Sequence, residues 1–201
     1  MFLVTVLKSG GEYKPEHVYR LCAQAQKHAP DLKFVCLADV ELDIEYVKLL
    51  YGWPGWWSKM EMFRPGLFDK PFLYLDLDST IIGSLANISA RQRLTVLSDF
   101  YCPQHIGSGL MLVTPDAAKR AWQAWIASPQ MHMRECVTRA RWGDQGFLEG
   151  IWTDMDRWQN VLPGEIVSHK VDCQLKTPKT AKIICFHGKP RPWEVVDCVL
   201  R

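Results

Sequence analysis

Phe72-Leu73-Tyr74-Leu75-Asp76-Leu77-Asp78-Ser79-Thr80 is the stretch from which the rest of the chain is read. Its opening apolar run suits a central strand covered on both faces, and Lys70-Pro71 punctuates the start. Such a strand delivers two carboxylates to the loop at its carboxyl end, where open α/β sheets place their ligand crevices. Side chains at i and i+2 of a strand share a face, so Asp76 and Asp78 can approach one cation if the extended geometry persists. Unpaired carboxylates that close repel each other. A hard divalent ion, Mn²⁺ or Mg²⁺, relieves that repulsion and keeps positions open for phosphate oxygens and water. D-x-D alone is a common tripeptide, and its placement at a strand end is what gives it weight.

Upstream, Phe2 to Leu7 reads as a first strand, Ser9-Gly10-Gly11 as a loop, and Pro15 opens a helix with Val18, Leu21, Cys22 and Ala25 on one face. A second strand, Lys33 to Ala38, follows the Pro30-Asp31 turn, giving a βαβ unit with parallel strands. Residues 51–58 read as a loop by their Gly and Pro content, with Trp53, Trp56 and Trp57 packed onto the core. Downstream, Gly109 to Val113 is another strand, and Thr114-Pro115-Asp116 starts a helix bearing Ala121, Trp122, Trp125 and Ile126. Asp144 to Trp152 is a further helix. Lys182 to Phe186 is a late strand, after which two prolines in His187 to Trp193 argue against regular structure.

The chain has 201 residues, 48% of them hydrophobic, which is the size of one domain and carries no internal repeat or linker composition. A formal charge of +2 excludes a general affinity for polyanions, so no nucleic-acid partner is expected. The cysteines, at 22, 36, 102, 136, 173, 185 and 198, are odd in number and form no C-x-x-C pair, which fits the reducing cytoplasm. The apolar start ends at Lys8, short of a secretory signal, and no run approaches the roughly 20 apolar residues of a membrane span. Any membrane contact is therefore expected to be peripheral.

Trp57-Ser58-Lys59-Met60-Glu61-Met62-Phe63, followed by Leu73 to Asp78 and Ile81-Ile82-Gly83, resembles the donor-site core of GT-A glycosyltransferases, especially family 8 and its phage and bacterial relatives. The resemblance implies a single α/β domain over residues 1–201 with a mixed, mostly parallel central sheet flanked by helices. Residues 1–83 would be the nucleotide-binding half, and 84–201 the acceptor and sugar half with a C-terminal metal and phosphate segment. It implies that Asp76 and Asp78 hold the metal and that Lys59 contacts the donor sugar or its diphosphate; alone, Lys59 would read as a solvated loop lysine. His187-Gly188-Lys189-Pro190-Arg191-Pro192-Trp193 is similar to the family's H-x-x-G-x-x-K-P-W signature, in which the histidine is a metal ligand and the lysine holds phosphate. The segment is shorter here, so Lys189 and Arg191 both remain candidates for the phosphate.

Gly143-Asp144-Gln145 resembles the family's D-Q-D segment, whose Asp and Gln face the transferred sugar, with Gly146 where a second acid is expected. Asp144 reads alternatively as a helix N-cap. Ser108-Gly109-Leu110-Met111 is similar to the family's N-[AS]-G-x-M strand, with Gly107 in the asparagine slot. Tyr13 matches a tyrosine that stacks on the base, and Leu7, Lys8 and Leu77 complete the implied donor contacts. The implied activity is transfer of a hexose, with retention, from a nucleotide-sugar such as a UDP-hexose to a saccharide, glycolipid or protein acceptor. Residues 84–106 and 127–142 are the expected acceptor loops. Two other readings stand beside this one. Asp76 to Thr80 also matches the D-x-D-x-T loop of haloacid dehalogenase-type phosphatases, with Asp76 as nucleophile. The tryptophans would also suit a non-catalytic nucleotide-sugar binding module.

Overall fold

The structure is a computed structural model that describes residues 1–195, so Cys198 lies outside the described residues. Strands β1 (Phe2–Leu7), β2 (Lys33–Ala38), β3 (Tyr46–Lys48) and β4 (Phe72–Leu75) form the first half of the main sheet. A short β5 (Ser79–Ile81) follows, then β6 (Thr95–Ser98) and β7 (Ile106–Val113). The remainder are β8 (Val137–Thr138), β9 (Arg141–Trp142), β10 (Asp156–Arg157), β11 (Ile166–Ser168) and β12 (Ile183–Cys185). Helices are α1 (Pro15–His28), α2 (Ala86–Ser89), α3 (Pro115–Ala127), α4 (Pro129–Glu135), α5 (Gly143–Ile151) and α6 (Trp158–Val161).

The main sheet runs in the order β10-β6-β7-β4-β1-β2-β3. Pairings β3–β2, β2–β1, β1–β4 and β10–β6 are parallel, whereas β7 runs antiparallel to both its neighbours. The alternation of side chains along a strand splits the core into two layers. Val4, Val6, Phe72, Tyr74, Met111 and Val113 face one side with Trp122 and Trp125 of α3 and Phe147 of α5. Leu3, Leu7, Leu73, Leu75, Leu110 and Leu112 face the other with Val18, Leu21 and Ala25 of α1 and with Trp158 of α6. Helices on both faces explain why β4 is an uninterrupted apolar run.

Pro15 sits in the first turn of α1, and the Thr114 hydroxyl accepts from the Ala117 N–H at the start of α3, as expected. Residues 51–58 depart from expectation. From Gly55 the chain winds into a 3-10 helix reaching Phe63, because Trp57, Met60, Met62 and Phe63 are all core residues and only a helical turn can bury them together. A second sheet, β11-β12-β5, has β12 parallel to β11 and antiparallel to β5, which ties the late chain to the Asp76–Asp78 turn. Among the described residues, no helix is long and apolar enough to cross a membrane.

Candidate active site

At the carboxyl ends of β1 and β4 lies a cavity of about 750 Å³, within the range of small-molecule sites. Pairing of β4 ends with the Asp76 N–H donating to the Gly109 carbonyl at 2.9 Å. The extended geometry does not persist. The Ser79 N–H reaches back to the Asp76 carbonyl at 3.0 Å, and the resulting turn carries both carboxylates into the cavity. Arg20 of α1 holds this turn from behind, donating to the carbonyls of Leu77 at 2.6 Å and Ser79 at 3.0 Å. No sequence signal singled out Arg20.

Lys59 enters from the 3-10 helix and lies between two acids. Its Nζ is 2.9 Å from Asp76 Oδ1 and 3.1 Å from Asp144 Oδ2, with Ser108 Oγ at 3.4 Å. Burial alone would lower its pKa, but the attraction of Asp144 and Asp76 outweighs burial and raises it, so the ammonium stays charged. Lys59 is buried, not solvated. Asp144 lies in the first turn of α5, whose N-cap is Trp142, so its carboxylate is directed to Lys59 and not to capping. Its Oδ2 is buried and has Lys59 as its partner. Tyr74 lies two positions before Asp76 and donates its hydroxyl to Asp76 Oδ1 at 2.5 Å.

Asp78 takes the hydroxyl of Tyr13 at 2.9 Å and the guanidinium of Arg191. Burial and then the neighbouring Asp76 push its carboxyl up to about 7, although Arg191 opposes the shift. Arg191 also lies over the Tyr13 ring, 5.3 Å from its centre, and pairs with Glu12, whose carboxyl Arg191 and Lys189 together hold at about 2.

Between the two phosphate candidates the geometry distinguishes clearly. Arg191 lines the cavity, while Lys189 points outward to Glu12 at 2.8 Å and Glu194 at 2.5 Å. Lys8 lines the cavity but is paired with Asp39 at 2.6 Å. Leu77 and Gln145 line it as well. Leu7 does not; its side chain is core, packed on the α1 side of the sheet.

His187 lines the same cavity as the two aspartates. Its Nε2 is 2.6 Å from Ser168 Oγ, and its ring stacks on Phe100 with centroids 5.4 Å apart. Burial, then the nearby Lys170, lowers its pKa, so the imidazole is neutral at pH 7. Among the described residues no group of three His, Cys, Asp or Glu side chains forms a ready metal cage. Asp76 and Asp78, two adjacent carboxylates of which the second is pushed up by burial and by the first, are nonetheless a donor set suited to a hard divalent ion that keeps phosphate and water among its ligands. Leu97, Phe100 and Tyr101, within the expected acceptor loop 84–106, and Trp142, within 127–142, line the cavity, although none was singled out; Trp56, expected on the core, is instead half exposed and lines it too.

No protein-family model and no curated protein matches the sequence. Solved structures match the fold. The galactosyltransferase LgtC, in complex with donor and acceptor sugar analogues, is 12% identical and superposes with a TM-score of 0.70, covering 96% of this chain and 89% of its own. GlyE, a glycosyltransferase of Streptococcus pneumoniae TIGR4, is 15% identical with a TM-score of 0.67, covering 96% of this chain and 56% of its own. The bifunctional glycosyltransferase WbbM is 12% identical with a TM-score of 0.61, covering 96% of this chain and 46% of its own. The chain therefore has a GT-A-like glycosyltransferase fold, with helices on both faces of a mostly parallel sheet.

Proposed function

We propose that the chain is a metal-dependent glycosyltransferase that moves a hexose from a nucleotide-sugar, a UDP-hexose, to an acceptor hydroxyl with retention. The observation that carries this reading is the alternation of charge along one cavity: Asp144, Lys59 and Asp76 in contact, then Asp78 and Arg191. A nucleotide-sugar presents the matching series of sugar hydroxyls, diphosphate and base.

Asp76 and Asp78 would hold Mn²⁺ or Mg²⁺, with His187 as a third, neutral donor from the same cavity. The bound ion supplies Lewis-acid stabilisation of the charge that grows on the departing diphosphate. Arg191 adds charge-assisted hydrogen bonds to the same oxygens, and Lys59 positions the donor sugar. Asp144, paired with Lys59 in the cavity wall, would face the transferred sugar, and Gln145 beside it the reacting carbon. Tyr13, Lys8, Leu77 and the backbone beside Leu7 border the nucleotide. In the transfer the bond from the anomeric carbon to the diphosphate breaks, the acceptor oxygen bonds to that carbon, and the acceptor proton leaves to the released phosphate.

The fold favours this chemistry over the phosphatase alternative, since the matching structures are glycosyltransferases. A non-catalytic binding module would bind donor without turnover, and the same assay separates it. With UDP-hexoses as substrates, Asp76→Asn and Asp78→Asn should each abolish Mn²⁺-dependent UDP release while the chains stay folded. Full release by either variant, or by wild type in EDTA, would sink the mechanism.

A further inference from the structure

Two of the nine tryptophans are wet, Trp56 at 47% exposure and Trp142 at 52%. Trp53, Trp57, Trp122, Trp125, Trp152 and Trp158 are all buried, as large aromatic rings in a folded chain normally are, and Trp193 is half-buried with its ring stacked on His17. The two wet rings lie together, with centroids 6.1 Å apart and planes tilted by 48°, and both line the cavity. They come from separate elements, Trp56 from the 3-10 helix and Trp142 from the β8–β9 hairpin, where it pairs with Val137.

Their position within the cavity follows from contacts. Gly143 adopts φ +59°, and a Cβ there would stand 3.2 Å from the Trp56 indole nitrogen. Absence of that carbon lets Trp56 lie against the backbone immediately before Asp144 and Gln145. Contacts then run from Trp142 to Trp56, Gly143 and Asp144, on to Lys59 and Asp76. Tyr13 instead meets Asp78 and Arg191. The wet pair thus adjoins the segment assigned to the sugar and is separated by it from the nucleotide side.

We propose that Trp56 and Trp142 form the acceptor subsite and that its occupant is a neutral pyranose ring. This inference rests on the glycosyltransferase reading and names the acceptor class for it. A pyranose has an apolar face of C–H bonds, whose positive edge suits the negative face of an indole, while its hydroxyls point sideways to water and to amides such as Gln145. Charge argues for a neutral ring. The cations lining the cavity, Lys8, Lys59 and Arg191, are each paired with a carboxylate, and none of them belongs to the tryptophan pair's contacts. An acidic or phosphorylated acceptor would find no unpaired Lys or Arg among the cavity's lining residues.

The test is a glycan array probed with the whole labelled protein in Mn²⁺ and UDP. Free-oligosaccharide and lipid-linked arms share the same headgroups, so that the two sources of a pyranose can be told apart. Wild type should bind neutral glycans, and Trp56→Ala or Trp142→Ala should weaken binding about tenfold, the scale of an aromatic stacking contribution. The phenylalanine variants keep a ring and should retain most of the binding, which separates loss of the platform from loss of the fold. Thermal stabilisation by Mn²⁺ and UDP should be unchanged in all four. No neutral glycan bound by wild type, undiminished binding by both alanine variants, or preferred binding to peptides would overturn the proposal. Glycan binding that fails in the alanine variants of a protein with no UDP response would refute the donor reading and leave the platform standing.

Discussion

Asp78 shows most clearly how single residues are tuned in this cavity. Its carboxyl sits at about 7 against an ordinary 3.8, first because it is buried and second because Asp76 adjoins it. Between those values the folded chain keeps a proton that the unfolded chain has released. The stabilisation is therefore present in full below pH ~4 and is lost as the pH rises through about 7. Replacing the acid with an amide removes the dependence, while Arg191 keeps Glu12 as a partner. In chelator-treated protein, Asp78→Asn should match wild type in urea unfolding near pH 4. By pH 8 it should be the more stable by on the order of 2–4 kcal/mol. A wild type that gains on the variant as the pH rises would show that Arg191 dominates instead. At this scale the sequence singled out the acids that line the cavity and not how they are neutralised. D-x-D spacing is local, whereas the partners Lys59, Tyr13 and Arg191 arrive from other elements.

Elements were legible where periodicity was strong. β1, α1, β2 and β4 stand where the apolar pattern placed them, and α3 begins at the expected Thr114 cap. β5, β8, β9 and β10 were not legible, since two or three residues carry no period and form strands only because a partner is already in place. Gly146 illustrates a sequence departure that only packing explains. Where an acid was expected, a Cβ would stand 2.7 Å from the Arg141 carbonyl carbon and 2.9 Å from its Cα. The β8–β9 hairpin packs against this turn of α5, and neither backbone can yield cheaply. Gly146→Asp should therefore cost about 1–3 kcal/mol by overpacking, plus the cost of burying a carboxylate. Gly10→Ala, at a loop glycine with open space around it but φ +84°, gives a backbone-strain comparison in the same unfolding assay. Equal stability of Gly146→Asp and wild type would mean that the hairpin is free to move away.

Over the whole molecule, the cavity is assembled from distant parts of the chain. Lys8 and Tyr13 follow β1, Asp76 and Asp78 follow β4, Asp144 belongs to α5, and His187 and Arg191 come after β12. Glu12 pairs with Arg191 across 179 positions of sequence. The C-terminal motif was recognisable in the sequence, but its approach to Tyr13 required the β11-β12-β5 sheet, of which the sequence showed only the middle strand. Since no fragment contains the site, a ligand that spans it binds only the folded chain, and its binding energy adds to global stability. At a hundredfold excess over its dissociation constant that addition is about 2.7 kcal/mol. For a chain of this size each kcal/mol raises Tm by roughly 2–4 °C, so UDP with Mn²⁺ should raise it by about 5–10 °C. UDP alone brings phosphate charge toward Asp76 and Asp78, and Mn²⁺ alone lacks the phosphate oxygens that would complete its coordination, so each should act weakly by itself. Scanning calorimetry of the four combinations measures this directly. A shift just as large with UDP in EDTA would show that Lys59 and Arg191 neutralise the diphosphate unaided, and would remove the metal from the site.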